Sequence, residues 1–356
     1  MTGARTPDAE FWRNRRVLLT GHTGFKGAWA ALWLKRLGAE IYGFALPAEG
    51  EPNLWRELGT SVLDGETLAD LRDRRAVETA VSRAKPQIVL HMAAQSLVRP
   101  SFADPVGTIS TNAMGTVNLL EALRACDDLA AALIVTTDKV YMNDDSGRDY
   151  IESDPLGGHD PYSASKAAAE ILTRSYAASY FDPAGVPIGT ARAGNVIGGG
   201  DWSADRLVPD AWRAVRASIP LRLRAPHSTR PWQHVLEPIA GYFLFVESLA
   251  GNPQTPRALN FGPRAGEQVT VGQVATAICE ALGVGRGWIP DDGEHPPEMA
   301  RLSLDSSLAC NTLGWKPRLD YRSAVQWTAE WYAEHRAGAD AARLCLDQIA
   351  RYVALA

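Results

Sequence analysis

With 356 residues, 46% of them hydrophobic and 22% charged, the chain is long enough for one large α/β domain or two smaller ones. A net charge of −5, with Arg224, Arg230 and Arg264 scattered and not aligned, excludes a nucleic-acid surface. The four cysteines (126, 279, 310 and 345) and seven histidines lack metal or redox spacing, no apolar run approaches a membrane span, and the polar residues 1–16 hold no signal-peptide core, so a metal-free cytoplasmic protein with free thiols is expected.

Strand and helix alternate along the first half. Residues 16–20 are a short apolar run ending in a glycine-rich turn, and 28–37 follow as a helix stopped by Gly38. A second strand is predicted at 40–46, an amphipathic helix at 68–85 and a third strand at 87–91. Next come a long helix at 108–125, a buried strand at 133–137, a helix at 161–180, and a strand at 188–197 running into Gly198-Gly-Gly200. Repeated strand–helix units imply an α/β fold of Rossmann type, a doubly wound parallel sheet with helices on both faces. After about residue 198 the pattern loosens. Helices are predicted at 207–217, 235–249, 271–282 and 322–334, a short strand at 221–224, and an acidic loop-rich stretch at 290–298. Residues 1–197 are expected to form a cofactor domain. Residues 198–356 would form mainly a smaller, partly discontinuous C-terminal substrate domain, with 235–262 returning to the sheet. Beyond Ala337 the pattern fits either a terminal helix or a frayed end.

The loop Thr20-Gly-His-Thr-Gly-Phe-Lys-Gly27 joins the first strand to the first helix. Gly21, Gly24 and Gly27 let the backbone turn tightly and approach a pyrophosphate seated on the helix N-terminus, with Thr23, Phe25 and Lys26 around it. No Gly-Lys-Ser/Thr follows, which excludes the phosphate loop of nucleotidases. A carboxylate for the adenosine ribose is expected at the end of the second strand. That position reads Phe44-Ala-Leu-Pro47, with Glu49 and Glu51 somewhat late. No arginine stands there for a 2′-phosphate either, so NAD is preferred over NADP. Asp70 and Leu71 either hold the adenine edge or serve as a helix cap and a core leucine.

Two lysine-bearing segments carry the chemistry. In Tyr162-Ser-Ala-Ser-Lys166 the two outer side chains lie one turn apart on one helix face. A neighbouring ammonium favours a phenolate. The pair therefore predicts a tyrosine acidic enough to take a proton from a sugar hydroxyl while hydride leaves the same carbon. Thr137, Asp138 and Lys139 end a buried strand, at the edge where open α/β sheets hold ligands. Only six of the 36 basic residues are lysines: 26, 35, 85, 139, 166 and 316. Two of the six fall in the candidate site and a third, Lys26, in the glycine loop, and lysine, unlike arginine, can give up its proton when buried.

Taken together, these segments resemble the extended short-chain dehydrogenases that act on nucleotide sugars, most closely the CDP-glucose 4,6-dehydratase group. The resemblance also runs through Phe11-Trp12, His91-Met-Ala-Ala-Gln95, Thr111-Asn-Ala-Met-Gly-Thr116, Gly157-Gly-His-Asp-Pro-Tyr-Ser163, Arg192-Ala-Gly-Asn-Val-Ile-Gly-Gly-Gly-Asp-Trp202 and Arg230-Pro-Trp-Gln-His-Val235. It implies NAD as a recycled cofactor. Tyr162 would take the C4 hydroxyl proton, Lys166 would hold the nicotinamide ribose, and Thr137 would bond the C4 oxygen. Asp138 looks like the acid that releases the C6 hydroxyl as water. Lys139 stands where related dehydratases carry a glutamate base for C5. The resemblance further places Ala93, Ala94 and Gln95 with the cofactor, and Ser96, Asn195, Arg206, Leu207, Arg230 and Arg301 with a nucleotide-sugar substrate.

One segment departs from the CDP-glucose pattern. Pro297-Glu-Met-Ala-Arg301 replaces the usual His-Glu-Ala-His, and Arg301 is more like that of dehydratases for other nucleotides. The alternatives are a 4,6-dehydratase of another nucleotide hexose, a nucleotide-sugar 4-epimerase, which needs no acid–base pair, and a non-catalytic NAD-binding regulator. The helices at 108–125 and 161–180 carry apolar residues on more than one face, which predicts a homodimer through them, as the family forms.

Overall fold

A computed structural model describes residues 4–264, 266–283, 287–293 and 301–356. Residues 294–298 of the acidic stretch, and 297–300 before Arg301, lie outside them. Seven parallel strands make the main sheet: β1 (Arg16–Thr20), β2 (Glu40–Ala45), β3 (Gly65–Leu68), β4 (Ile88–His91), β5 (Ala131–Val135), β6 (Ile188–Ala193) and β7 (Ala258–Phe261). Their spatial order is β7-β6-β5-β4-β1-β2-β3. The direction of winding reverses between β1 and β4, where Thr20 pairs with Phe44 on one side and His91 on the other. A ligand crevice opens outside the carboxyl ends of the strands at such a point.

Strand alternation sorts the apolar side chains into two cores. Val17, Leu19, Ile88, Leu90 and Leu133 face one way, while Leu18, Val89, Ala132 and Ile134 face the other. The first face is covered by α1 (Phe25–Arg36) and later helices and holds Trp12, Trp29, Trp33, Trp327 and Trp331. Truncating one of these indoles, such as Trp33 at 1% exposure, would cost about 3–5 kcal/mol. The second face is covered by α2 (Arg74–Ala84) and α3 (Gly115–Leu123) through Val77, Val81, Leu119 and Leu123. Helix α4 (Pro161–Tyr176) packs beside α3 and over β6.

Two differences from the predicted elements have physical causes, and the open question of the tail is settled. Residues 65–68 form β3, and the helix predicted from 68 begins only at Arg74, where the Asp73 side chain accepts from the Ala76 amide. As an edge strand with half-buried, polar residues, β3 shows no alternation. The helix predicted at 108–125 is broken into Pro105–Ile109, a wide π turn at Ser110–Met114, and α3. Within that turn Asn112 points inward and clamps Gln95: its Oδ1 accepts from the Gln95 amide at 2.9 Å and its Nδ2 donates to the Gln95 carbonyl at 2.9 Å. The tail forms a helix, Ala341–Val353, whose Leu344, Ile349 and Tyr352 are buried.

Beyond the sheet stand three two-stranded ladders. Val196–Ile197 pairs with Gln233–His234, Thr229–Arg230 with Val269–Thr270, and Leu221–Leu223 with Trp288–Pro290. Among the described residues no helix is long and apolar enough to cross a membrane.

Candidate active site

A cleft of about 2100 Å³ follows the carboxyl ends of the strands. Typical small-molecule pockets are about 300–1,000 Å³, so it has room for a dinucleotide and a second ligand. Every candidate named from the sequence lines it except Arg301. The Arg301 guanidinium lies against Gly147, where an added Cβ would come within 2.8 Å of Nη1, and its carbonyl accepts from Asn143 Nδ2 at 2.8 Å. Arg301 is exposed and stands beside the cleft, next to the lining residues Leu302 and Asn143, without lining it itself.

At one end the glycine loop turns from β1 into α1. Gly21 has φ +80°, and a Cβ there would sit 2.7 Å from the Ala93 nitrogen. At Gly27 a Cβ would sit 2.1 Å from the Gly21 carbonyl oxygen. These two glycines fold the loop. Gly24 differs: its Cβ would meet only the Gly21 oxygen, at 3.4 Å, and it opens α1 without any side-chain cap. The uncapped amides and the positive end of the helix dipole fit a pyrophosphate. Thr20 Oγ1 accepts from the Met92 and Ala93 amides at 3.1 Å each and bonds His91 Nδ1 at 2.7 Å. Burial pushes the His91 pKa down to about 3, so it is a neutral pin, reaching Thr116 Oγ1 at 3.0 Å through Nε2.

The adenosine end carries no carboxylate at the end of β2. There the Thr23 hydroxyl donates to the Leu46 carbonyl at 2.9 Å, and Glu51 is paired with Arg56 at 2.7 Å. Asp70 bonds Arg72, which holds its carboxyl below the usual carboxylate range. Leu71 is buried in the core beside Gly115. Both residues line the cleft as well as filling these local roles. His22 and Glu66 support the loop from behind without lining the cleft. The buried His22 ring reaches from the loop to the Glu66 carboxylate on β3 at 2.8 Å and meets the edge of Trp55.

The candidate catalytic side chains gather where β5 ends. Thr137 caps the tight turn Asp138–Val140 and donates its hydroxyl to Asp138 Oδ1 at 2.9 Å. Lys139 Nζ lies 3.4 Å from the same oxygen. Asp138 Oδ2 is buried without a partner, and so is Asn195 Oδ1. A buried acceptor left unmet costs about 1–3 kcal/mol, so these two fit a ligand rich in hydroxyl donors. Gly194 leaves the space: a Cβ there would crowd Asp138 Oδ2 at 2.9 Å.

Tyr162 and Lys166 enter from the first turns of α4, which starts at Pro161 and is capped by Asp160 accepting from the Ser163 amide at 2.9 Å. The expected acidic tyrosine is not what the protein alone provides. Burial pushes the Tyr162 phenol up to about 12, the Thr137 hydroxyl offsets this only in part, and the Asp138 carboxylate opposes ionisation. Lys166 turns its ammonium onto the Val135 carbonyl at 3.0 Å. Burial pushes its pKa down to about 8, against the pull of the Glu170 carboxylate. Lys26 extends under Tyr242, 5.8 Å from the ring centre. Burial, with the charges of Arg206 and Lys166, brings its pKa to about 7.

Farther along the cleft Arg206 faces Asp201 at 3.7 Å, and the buried Arg230 donates to the Thr229 carbonyl at 2.9 Å. Arg99 and Arg224 were not singled out for the site. Both line the cleft and converge on Asp205 Oδ1, at 2.8 and 3.3 Å. No local motif marks the three, which meet only in the fold. Among the described residues no three metal-ligating side chains cluster, and all four cysteines are free.

The family model of GDP-mannose 4,6 dehydratase matches residues 18–328. The chain belongs to this family. It is 40% identical to CDP-glucose 4,6-dehydratase of Salmonella typhimurium, over 94% of both chains. With dTDP-glucose 4,6-dehydratase of Xanthomonas campestris it shares 27% identity over 88% of this chain and 92% of the other. Among solved structures it resembles a double mutant of dTDP-glucose 4,6-dehydratase from Streptomyces venezuelae with NAD bound, at TM-score 0.77 and 25% identity over 90% of this chain and 98% of that one. The UDP-glucose 4-epimerase of Thermus thermophilus in complex with NAD gives TM-score 0.77 and 28% identity over 89% and 99%. The extended short-chain dehydrogenase fold read from the motifs is thus the fold of the molecule.

Proposed function

We propose that the chain is an NAD-dependent hydro-lyase that converts CDP-glucose to CDP-4-dehydro-6-deoxyglucose and water. One observation carries this reading: the 137–139 turn and the Tyr162–Lys166 face of α4 meet in one cleft, beside a glycine loop whose helix N-terminus is bare. The similarity to a CDP-glucose 4,6-dehydratase supports the nucleotide and the sugar.

NAD, when bound, takes up a hydride from the sugar and returns it, which keeps the net reaction redox-neutral. The glycine loop and α1 hold its pyrophosphate, and Lys166 holds the nicotinamide ribose. Tyr162 removes the proton of the C4 hydroxyl while Thr137 orients the C4 oxygen. Its high resting pKa calls for positive charge in the filled site, because the protein's own ammonium is turned to a carbonyl. The C4 ketone then acidifies the C5 proton. Lys139 takes that proton and Asp138 protonates the C6 hydroxyl, which leaves as water; return of the hydride to C6 and of a proton from Lys139 to C5 then completes the 4-dehydro-6-deoxy sugar. Asn195, Arg206 and Arg230 hold the diphosphate, with Ser96 and Leu207 along the sugar and ribose.

Residues 1–197 with 235–262 serve as the cofactor lobe and the remainder as the nucleotide-sugar lobe. The enzyme works in the cytoplasm as a homodimer. Exposed apolar side chains support the dimer: Val106, Ile109 and Met114 ahead of α3, and Ile171 on α4.

The test is mass spectrometry of the purified protein with a panel of nucleotide hexoses in D₂O. CDP-glucose should lose water, take up one deuterium at C5, and leave no net NADH. A 4-epimerase would change the sugar without deuterium at C5. Dehydration of a different nucleotide hexose in preference to CDP-glucose would move the assignment to that base. No reaction with any of them would refute it.

A further inference from the structure

Below the reacting centre lies a buried ion pair that the chemistry above leaves unused. Arg192 on β6 grips Glu170 on α4, with Nε donating to Oε1 at 2.9 Å and Nη2 to Oε2 at 2.9 Å. Both side chains are buried. The carboxylate also accepts the Thr136 hydroxyl at 2.6 Å and the Thr190 hydroxyl at 2.7 Å. The remaining guanidinium nitrogen donates to the Tyr141 hydroxyl at 2.8 Å, and Tyr141 donates to Asn260 Oδ1 at 2.6 Å.

A buried ion pair is weak evidence for stability, because removing two charges from water offsets their attraction. What this pair does that two leucines would not is to join both ends of one catalytic segment to a second. Thr136 immediately precedes Thr137. Tyr141 immediately follows the Asp138–Val140 turn. Glu170 stands one helical turn beyond Lys166, on the same face as Tyr162 and Lys166. Both ends of the acid–base turn and the tyrosine helix are therefore tied to one guanidinium–carboxylate fork.

We infer that Glu170 and Arg192 are positioning residues: the fork sets the 137–139 turn against α4, and the Glu170 carboxylate is the counter-charge of the Lys166 ammonium. The kinetic half of this rests on the dehydratase reading; the Lys166 half does not. Lys166 faces Glu170 from its own helix, Lys26 from α1 and the neutral His91 from β4. Tyr162 shares its helix face, and Asp138 lies beyond Tyr162 at the end of β5. Of these, Glu170 is the group that holds the Lys166 pKa up.

The test compares wild type with the double variant Glu170→Met/Arg192→Met and with Tyr141→Phe. The double variant leaves no buried charge unpaired. Competitive acetylation across pH, read by peptide mass spectrometry without substrate, gives the Lys166 midpoint directly. The double variant should shift it down by about one pH unit or more. In turnover its kcat should fall roughly 10- to 100-fold with KM within about twofold, and the basic limb should move to lower pH. Tyr141→Phe frees the turn but keeps the carboxylate, so kcat falls while the Lys166 midpoint stays. If the double variant does not fold, Thr136→Val supplies the kinetic arm, with the same loss of kcat expected. A folded double variant with wild-type Lys166 midpoint and wild-type kcat overturns the inference. If wild type dehydrates nothing, the dehydratase reading has failed, while the acetylation arm still decides the role of Glu170.

Discussion

Gly21 and Gly24 sit three residues apart in one loop, yet alanine should do opposite things at the two positions. At Gly21 the φ of +80° would cost an L-residue about 1–2 kcal/mol. The new methyl would also lie 2.7 Å from the Ala93 nitrogen, 2.8 Å from its Cα and 2.9 Å from the Met92 carbonyl carbon. These are backbone atoms of the segment after β4, so no side chain can swing away. Overpacking of this kind costs about 1–3 kcal/mol. Gly21→Ala should therefore lose about 2–5 kcal/mol, which for a chain of this size lowers Tm by roughly 3–7 °C at about 2 cal/mol/K of unfolding entropy per residue. At Gly24 φ is −83°, and the methyl meets one oxygen at ordinary contact distance. Gly24→Ala should hold Tm or raise it slightly, because the unfolded chain loses freedom. Its methyl, however, occupies the bare N-terminus of α1, where a pyrophosphate must approach the backbone. NAD affinity should fall at least tenfold, about 1.4 kcal/mol. Scanning calorimetry of the free protein and titration with NAD read the two effects separately. A Gly24→Ala protein that binds NAD as tightly as wild type would refute the assignment of this loop to the pyrophosphate.

Lys139→Gln should leave C4 oxidation intact and stop before loss of water, with kcat down roughly 10²- to 10⁴-fold and NADH absorbance accumulating on the enzyme. Normal turnover would remove Lys139 from the role of base. Glu237 is buried, accepts from the Arg318 and Leu319 amides at 2.8 and 2.7 Å, and is pushed up to about 7. Because the folded pKa lies above the unfolded one, its contribution to stability is full below about 4.5 and is lost as pH rises through about 7. Glu237→Gln should therefore gain Tm relative to wild type at pH 8 and gain less, or nothing, at pH 5; equal changes at both would count against it. Val106→Glu, at a side chain 75% exposed, should give a monomer in light scattering with Tm of the isolated subunit unchanged, and a variant that stays dimeric would move the interface elsewhere.

What could be read from the amino acids was whatever depends on neighbours in the chain. The glycine loop, the 137–139 turn and the Tyr162–Lys166 face are each set by fewer than ten consecutive residues, and the structure brings all three to one cleft. Edge strand β3 escaped because an edge needs no apolar alternation. Arg99, Asp205 and Arg224 escaped because nothing short of the fold brings them together.

The tyrosine shows most clearly where sequence reasoning stops. Spacing established that Tyr162 and Lys166 share a helix face, and from that a lowered tyrosine pKa followed. Spacing does not reveal competing acceptors. The Val135 carbonyl, left open where β5 ends, takes the Lys166 ammonium at 3.0 Å, and Tyr162 is left in a buried setting that favours the neutral phenol. A buried tyrosine beside an aspartate is a poor base until positive charge reaches it. In its proposed role as base, Tyr162 would therefore depend on the filled cleft for proton removal. That dependence would couple the oxidising step to the presence of both ligands, and it fits the inferred role of Glu170: a lysine kept charged in a desolvated pocket gains from a carboxylate nearby, and α4 supplies one a single turn away.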